Sequence, residues 1–128
     1  MFWWFEKKRG LSVFITLVGA VLIFWISSLS FGTGVGGPPG FYAIVYHILA
    51  FFFFGIFVFI SVTRGRINFQ FFLVAFLISF AYALTDEIHQ YFVPSRSSGL
   101  FDIFLDLVGI VFAAMVYLVI IFRRQKYL

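Results

Sequence analysis

Four long apolar runs organise this chain, at about 11–30, 41–62, 69–92 and 101–122, each closed by a short polar or Gly/Pro-rich segment. Each run is close to the roughly 20 residues a helix needs to cross a hydrocarbon core. Strands are a poor alternative, because an open sheet leaves backbone groups unsatisfied in lipid. The pattern predicts an all-α fold: a four-helix transmembrane bundle forming a single domain over residues 1–128. The connections are short. The first, 32–40, carries Pro38 and Pro39 and no charge; the second, 64–68, holds Arg64, Arg66 and Asn68; the third, 94–99, begins at Pro94. Pro94 predicts the end of the third span near Phe92 or Val93. Ser97 or Ser98 is a candidate N-cap for the fourth, with Asp102 in its first turn, where a negative charge suits the helix dipole.

Composition excludes a water-soluble domain. The chain is 63% hydrophobic, 24% aromatic and 11% charged over 128 residues, more apolar surface than so short a chain can hide from water. The absence of cysteine excludes disulfides, thiolate catalysis and cysteine-ligated metals. The net charge of +4 comes from short basic clusters at the ends of apolar runs, which are topology signals and not a nucleic-acid surface. With four spans, Lys7, Lys8, Arg9, Arg64, Arg66, Arg123, Arg124 and Lys126 share one side and Arg96 alone takes the other. The positive-inside rule then predicts cytoplasmic termini, a cytoplasmic 64–68 turn, and outward-facing 32–40 and 94–99 turns. The predicted location is the cell membrane, multi-pass. Lys7 to Arg9 before an apolar run also fits a signal peptide, but no A-x-A site follows.

The acids are placed as unevenly as the bases. Glu6 lies near the N-terminus, whereas Asp86, Glu87, Asp102 and Asp106 flank the third connection with His89, Gln90 and Arg96. At about 1.5 Å per residue, His47 and Asp106 each lie about 25 Å from the basic end of their spans, and Asp86 and Asp102 about 30 Å. Asp102 and Asp106, and likewise Asp86 and Gln90, are four apart and share a helix face. A charge at the bilayer centre costs about 2.5–3.5 kcal/mol even on a gentle scale, so these carboxylates are expected to face one another, Arg96 and a water-accessible crevice. Taken singly, Asp86, Glu87 and Asp102 also fit interfacial residues in water at helix ends. The deeper His47 and Asp106 fit a functional site better. The candidate cluster is His47, Asp86, Glu87, Gln90, Arg96, Asp102 and Asp106. No catalytic residue is assigned and no resident metal is expected, although hard oxygen ligands leave a divalent cation open. The run 51–54 reads as packing and lipid-facing surface, Trp3, Trp4 and Tyr127 as interfacial aromatics, and Gly109 with Ala113 as close-packing positions.

At these residues the sequence resembles the VanZ-like family of small bacterial membrane proteins. The carrying stretch runs from Thr85-Asp86-Glu87-Ile88-His89-Gln90 through Pro94-Ser95-Arg96 to Asp102, Asp106 and Gly109. It looks like the family's acidic-x-x-Gln segment, Pro-x-Arg turn, and Asp followed by a second Asp or Asn before Gly. His47, with an aromatic run and Gly55 after it, is similar to the His of the family's second-helix motif. Ala43 and Ile44 stand where that motif often has an Asp-Lys pair. The resemblance implies an envelope role, since the founding member is associated with low-level teicoplanin resistance. Two function classes follow. One is a non-enzymatic protein that binds a membrane lipid or lipid-linked envelope precursor at the outer face. The other is a membrane-embedded enzyme using Glu87, Asp102 or Asp106 as acid or base with His47 or His89. In that case Arg96 would hold a phosphate or carboxylate of the substrate. A transporter ranks last, because the polar residues gather at one end, unless the chain forms a homo-oligomer.

Overall fold

The computed structural model of the protein describes residues 2–29, 40–66, 68–94, 96 and 98–126, with backbone alone at 2, 3, 125 and 126. The described residues form five helices and no strand: α1 (Phe2–Lys7), α2 (Arg9–Ser27), α3 (Phe41–Thr63), α4 (Phe69–Tyr91) and α5 (Leu100–Lys126). Helices α2, α3, α4 and α5 are each long and apolar enough to cross a membrane, so the four expected spans are present. The first of them ends earlier than expected, at Ser27, and the last runs further, to Lys126. The chain is thus an all-helical, multi-pass membrane protein. The 32–39 part of the first turn, Ser97 and Tyr127 lie outside the described residues.

The helix ends follow local chemistry. Asn68 caps α4, its Oδ1 accepting from the N–H groups of Gln70 at 2.8 Å and Phe71 at 3.3 Å. Two residues before Pro94 the chain leaves α4 at Phe92. Gly99 receives the first turn of α5, its carbonyl accepting from Asp102 and Ile103. Helix α1, a short piece not foreseen from the sequence, is broken from α2 at Lys8. It is tied to the far end of the chain: Glu6 accepts from the Tyr117 hydroxyl at 3.0 Å and from Arg124. Tyr117 in turn lies 2.7 Å from the Thr63 hydroxyl and accepts from the Gly65 N–H at 3.1 Å. Gly65 has φ +73°, and a Cβ there would meet Glu6 Oε2 at 2.6 Å. The turn therefore needs glycine both for its left-handed backbone and for the carboxylate pressed against it.

Packing is rhombic. Helices α3 and α4 each touch all the other spans, while α2 and α5 sit diagonally apart with no contact among the described residues. The inner face of α3 runs His47, Phe51, Phe54, Gly55, Val58 and Phe59, at helical spacing. The phenylalanine run is split by that phase: Phe51 and Phe54 are core, and Phe53 is exposed to lipid. Phe14, Leu17, Val21 and Trp25 of α2 and Phe112, Val119 and Phe122 of α5 are exposed too, as expected when the surrounding solvent is lipid.

The α3–α5 pair is the most extensive contact, and small residues make it so. A Cβ on Gly109 would overlap the Ile48 carbonyl oxygen and stand 3.0 Å from the Phe52 nitrogen. One turn further, a Cβ on Gly55 would stand 3.1 Å from the Ala113 Cβ. The Gly109 and Ala113 positions expected for close packing thus lie against α3. Replacing Gly109 with Ala pushes the two backbones apart and is expected to cost roughly 1–3 kcal/mol. The control is Gly19→Ala, whose Cβ would touch only the Phe54 ring at 3.8 Å. Thermal unfolding of both variants in detergent, followed by helical circular dichroism, should show a lowered midpoint for Gly109→Ala alone.

Candidate functional site

The inner face of α4 carries Ala75, Ser79 and Ala83 and then turns polar, with Asp86, Glu87 and Gln90 all buried. Asp86 and Glu87 are adjacent in sequence, so they point to different neighbours. Asp86 faces α2: its Oδ2 accepts from the Ser27 hydroxyl at 3.0 Å and from Gln90 Nε2 at 2.7 Å. Glu87 faces the start of α5, where its Oε1 accepts from the Gly99 N–H. Both acids therefore fix a helix junction.

Arg96 meets the cluster through Gln90. Its Nε donates to Gln90 Oε1 at 3.1 Å, and its Nη1 donates to the carbonyls of Ile26 at 3.1 Å and Leu29 at 2.9 Å. A guanidinium at the carboxyl end of α2 also complements the negative end of that helix dipole. Ser27, Asp86, Gln90 and Arg96 thus form one chain of hydrogen bonds joining α2, α4 and the turn after it.

The second half of the site lies between α3 and α5. His47 Nδ1 stands 2.8 Å from Asp106 Oδ1, and His47 Nε2 stands 4.0 Å from Asp102 Oδ1. The matching depth of His47 and Asp106 is thus realised as direct contact. With Asp106 ionised, Nδ1–H donates to it and Nε2 is left as the basic nitrogen toward Asp102. Glu87 lies within electrostatic reach of Asp102, His47 and Asp106, and Asp106 within reach of Asp86, so the two halves act as one cluster.

All of these groups but Arg96 are buried; Asp106, Gln90 and Ser27 have no exposure at all. That departs from the water-accessible crevice expected from the sequence, because α2, α3 and α5 close over the polar face of α4. Burial leaves some atoms unsatisfied. Asp86 Oδ1, Glu87 Oε2, Asp106 Oδ2 and the Tyr46 hydroxyl are covered and have no hydrogen-bond partner among the described residues. The Tyr46 hydroxyl lies against Ser27 without a well-formed bond, within reach of Asp86 and Asp106. Among the described residues no three of His, Cys, Asp and Glu are grouped as a metal site requires.

Two residues escaped the sequence reading. Ser27 and Tyr46 sit in apolar helices with no charge beside them, and only the three-dimensional crossing of α2 and α3 with α4 reveals them. His89 goes the other way: it lies on the outer side of α4, its Nε2 2.9 Å from the Ser28 hydroxyl and its ring stacked on Phe24 at 4.1 Å.

Four apolar spans around a buried acidic and histidine cluster at one end of the bundle define a class of small helical membrane protein. The model of the VanZ/LLP1 family matches residues 5–123, and the chain belongs to that family. No curated protein and no solved structure matches it.

If the Ser27–Asp86–Gln90–Arg96 chain holds α2 to α4, Ser27→Ala is expected to cost about 1.5–3 kcal/mol, the range for one hydrogen bond to a charged group, since Asp86 Oδ2 keeps its bond from Gln90. Gln90→Leu removes the link to Arg96 as well and should cost more. Thermal unfolding in detergent measures both, and equal stability of Gln90→Leu and wild type would refute the linkage.

Proposed function

We propose that this protein binds a lipid-linked or amphiphilic ligand of the cell envelope through the cluster of His47, Asp86, Glu87, Gln90, Arg96, Asp102 and Asp106. Binding there changes how envelope-targeting antibiotics act, as the family's association with teicoplanin resistance implies. The observation that carries this reading is the set of buried, unpartnered oxygens in one cluster at one end of an otherwise apolar bundle. A purely structural cluster gains nothing from leaving them unpaired. The uneven spread of Lys and Arg, eight at the opposite end and Arg96 alone at this one, supports placing the cluster at the outer face of the cell membrane.

A second reading, a membrane-embedded enzyme acting on a lipid-linked substrate, is favoured by one observation. The His47–Asp106 contact orients an imidazole with Nε2 toward Asp102, an arrangement suited to general acid–base work. Under that reading Asp102, Asp106 or Glu87 exchanges the proton with His47.

The first test is topological. The chain has no cysteine, so a single introduced one reports alone. A membrane-impermeant maleimide added to intact cells should label Ser98→Cys and spare Arg66→Cys, and the reverse pattern would place the cluster inward. Arg66 serves better than Gly65 here, because Gly65 is locked against Glu6.

The second test is functional. Asp106→Asn keeps size and much of the hydrogen bonding while removing the carboxylate charge, and His47→Asn keeps a polar side chain while removing the imidazole. In cells whose teicoplanin susceptibility the wild type alters, each variant at matched membrane levels is expected to lose most of that effect. Full activity of both would confine any function to the shallower Glu87, Gln90, Arg96 and Asp102.

A further inference from the structure

The end of the bundle opposite the acidic cluster gathers charge of the other sign. Of the five acidic side chains only Glu6 lies there, and it is buried and engaged, accepting from the Tyr117 hydroxyl and from Arg124. The bases beside it are open to the surroundings. Lys8 and Arg9 at the start of α2, Arg64 and Arg66 in the turn before α4, and Arg123 near the end of α5 are all exposed. Among the described residues no acid pairs with any of them. A topology signal asks only that bases follow apolar runs on one side, not that separate runs be drawn together. Here they are drawn together. A Cβ on Gly65 would stand 2.6 Å from Glu6 Oε2 and 2.9 Å from Arg124 Nη2, so α1, the turn and the end of α5 meet at one junction. Arg64 and Arg66 flank that glycine, Arg123 precedes Arg124, and Lys8 and Arg9 follow closely on Glu6. Like charges brought to one end of a bundle repel one another, and one buried carboxylate already held by Arg124 does not offset them. Aromatic side chains share that level. Trp4 is exposed with the Lys8 ammonium 4.3 Å from its ring centre, and exposed Phe69 opens α4 just after the turn.

We propose that this end is an interaction surface for anionic phospholipids, whose headgroup phosphates its bases hold in preference to those of zwitterionic lipids. The inference is independent of the cluster at the other end. An exposed aromatic ring beside a base at the end of a span belongs at the headgroup level, where the ring meets the acyl boundary and the cation meets the phosphates. A zwitterionic headgroup carries its own cation, which cancels its phosphate, whereas an anionic headgroup leaves its charge to the protein. Each Lys or Arg near a lipid surface strengthens attraction to anionic lipid about five-fold. Free anions carry similar charge, but these bases stand at the ends of membrane-spanning helices with exposed aromatics among them, so the phosphates within reach are those of the bilayer.

The experiment unfolds the full chain thermally in non-ionic detergent micelles and follows it by helical circular dichroism. Short-chain phosphatidylglycerol, phosphatidylcholine of the same chain length, and glycerol 3-phosphate are titrated in turn. Phosphatidylglycerol is expected to raise the midpoint at a concentration at least about five-fold lower than phosphatidylcholine requires. At an ionic strength of about 1 M, where the Debye length falls to about 3 Å, that preference should shrink. Arg66→Gln and Arg123→Gln change exposed side chains on two different elements, and each is expected to weaken the phosphatidylglycerol response about five-fold. Arg66→Lys and Arg123→Lys, which restore the charge, should keep it. The phosphatidylcholine response stays unchanged in all of these variants, which separates lost headgroup attraction from lost fold. Equal midpoints with the two lipids, or an undiminished preference for phosphatidylglycerol in both glutamine variants, overturns the proposal. An equal shift with glycerol 3-phosphate at the same concentration overturns the lipid assignment, since the surface then takes a free anion.

Discussion

The close approach of α3 and α5 is the constraint on which the site depends. At Gly109 the two backbones come so near that no side chain fits between them, and Gly55 facing Ala113 repeats the arrangement a turn away. Ile48, whose carbonyl covers Gly109, follows His47 in the chain, and Asp106 precedes Gly109 by three residues. The glycine contact and the histidine–aspartate contact therefore belong to the same turn of each helix. In lipid no hydrophobic effect draws apolar helices together, so a seam of small residues and the polar bonds beside it must hold the pair. The His47–Asp106 bond at 2.8 Å is both a product of that seam and a reinforcement of it.

From this pair the rest of the arrangement follows. With α3 and α5 fixed, α4 can meet both only by turning its Ala75–Ser79–Ala83 stripe inward, and the same phase carries Asp86, Glu87 and Gln90 into the interior. The short connection to α5 then sets Gly99 against Glu87 and Arg96 against Gln90. Arg96 completes the bundle by binding the carbonyls of Ile26 in α2 and of Leu29 just beyond it, at the end of the span diagonal to α5. Arg96, together with Asp86 and Gln90 on Ser27, thus carries the cluster's reach to a helix that α5 does not touch among the described residues.

Much of this was legible in the sequence, for physical reasons that vary by element. The four spans were, because lipid demands long uninterrupted helices and leaves few alternatives. The partnership of His47 with Asp106 was legible as depth, since helical rise converts residue number into height, but not as contact, which needs the rotation of each helix. The roles of Ser27 and Tyr46 were not legible: a hydroxyl in an apolar run satisfies its own helix or reaches a neighbour, and the sequence does not distinguish the two. The depth of burial was missed for the same reason. Residues near a span's end read as water-facing, yet Asp86, Glu87 and Asp102 are covered by helices whose packing their own sequence does not encode. The short α1 was missed because Trp3 and Trp4 read as interfacial aromatics on either assignment.

The bundle contains its own internal comparison. At the end that holds the termini, Glu6, Tyr117, Thr63, Gly65 and Arg124 make a second buried polar network, and no atom of it is among the covered, unpartnered ones. Every covered, unpartnered side-chain atom among the described residues lies at the other end. The same chain, with the same helices and the same apolar surroundings, satisfies its polar groups completely where they only join helices. Burial in this fold therefore does not by itself orphan an oxygen. The open carboxylate oxygens beside His47 and Arg96 are a property of that end of the bundle, where the polar groups do more than join helices to one another.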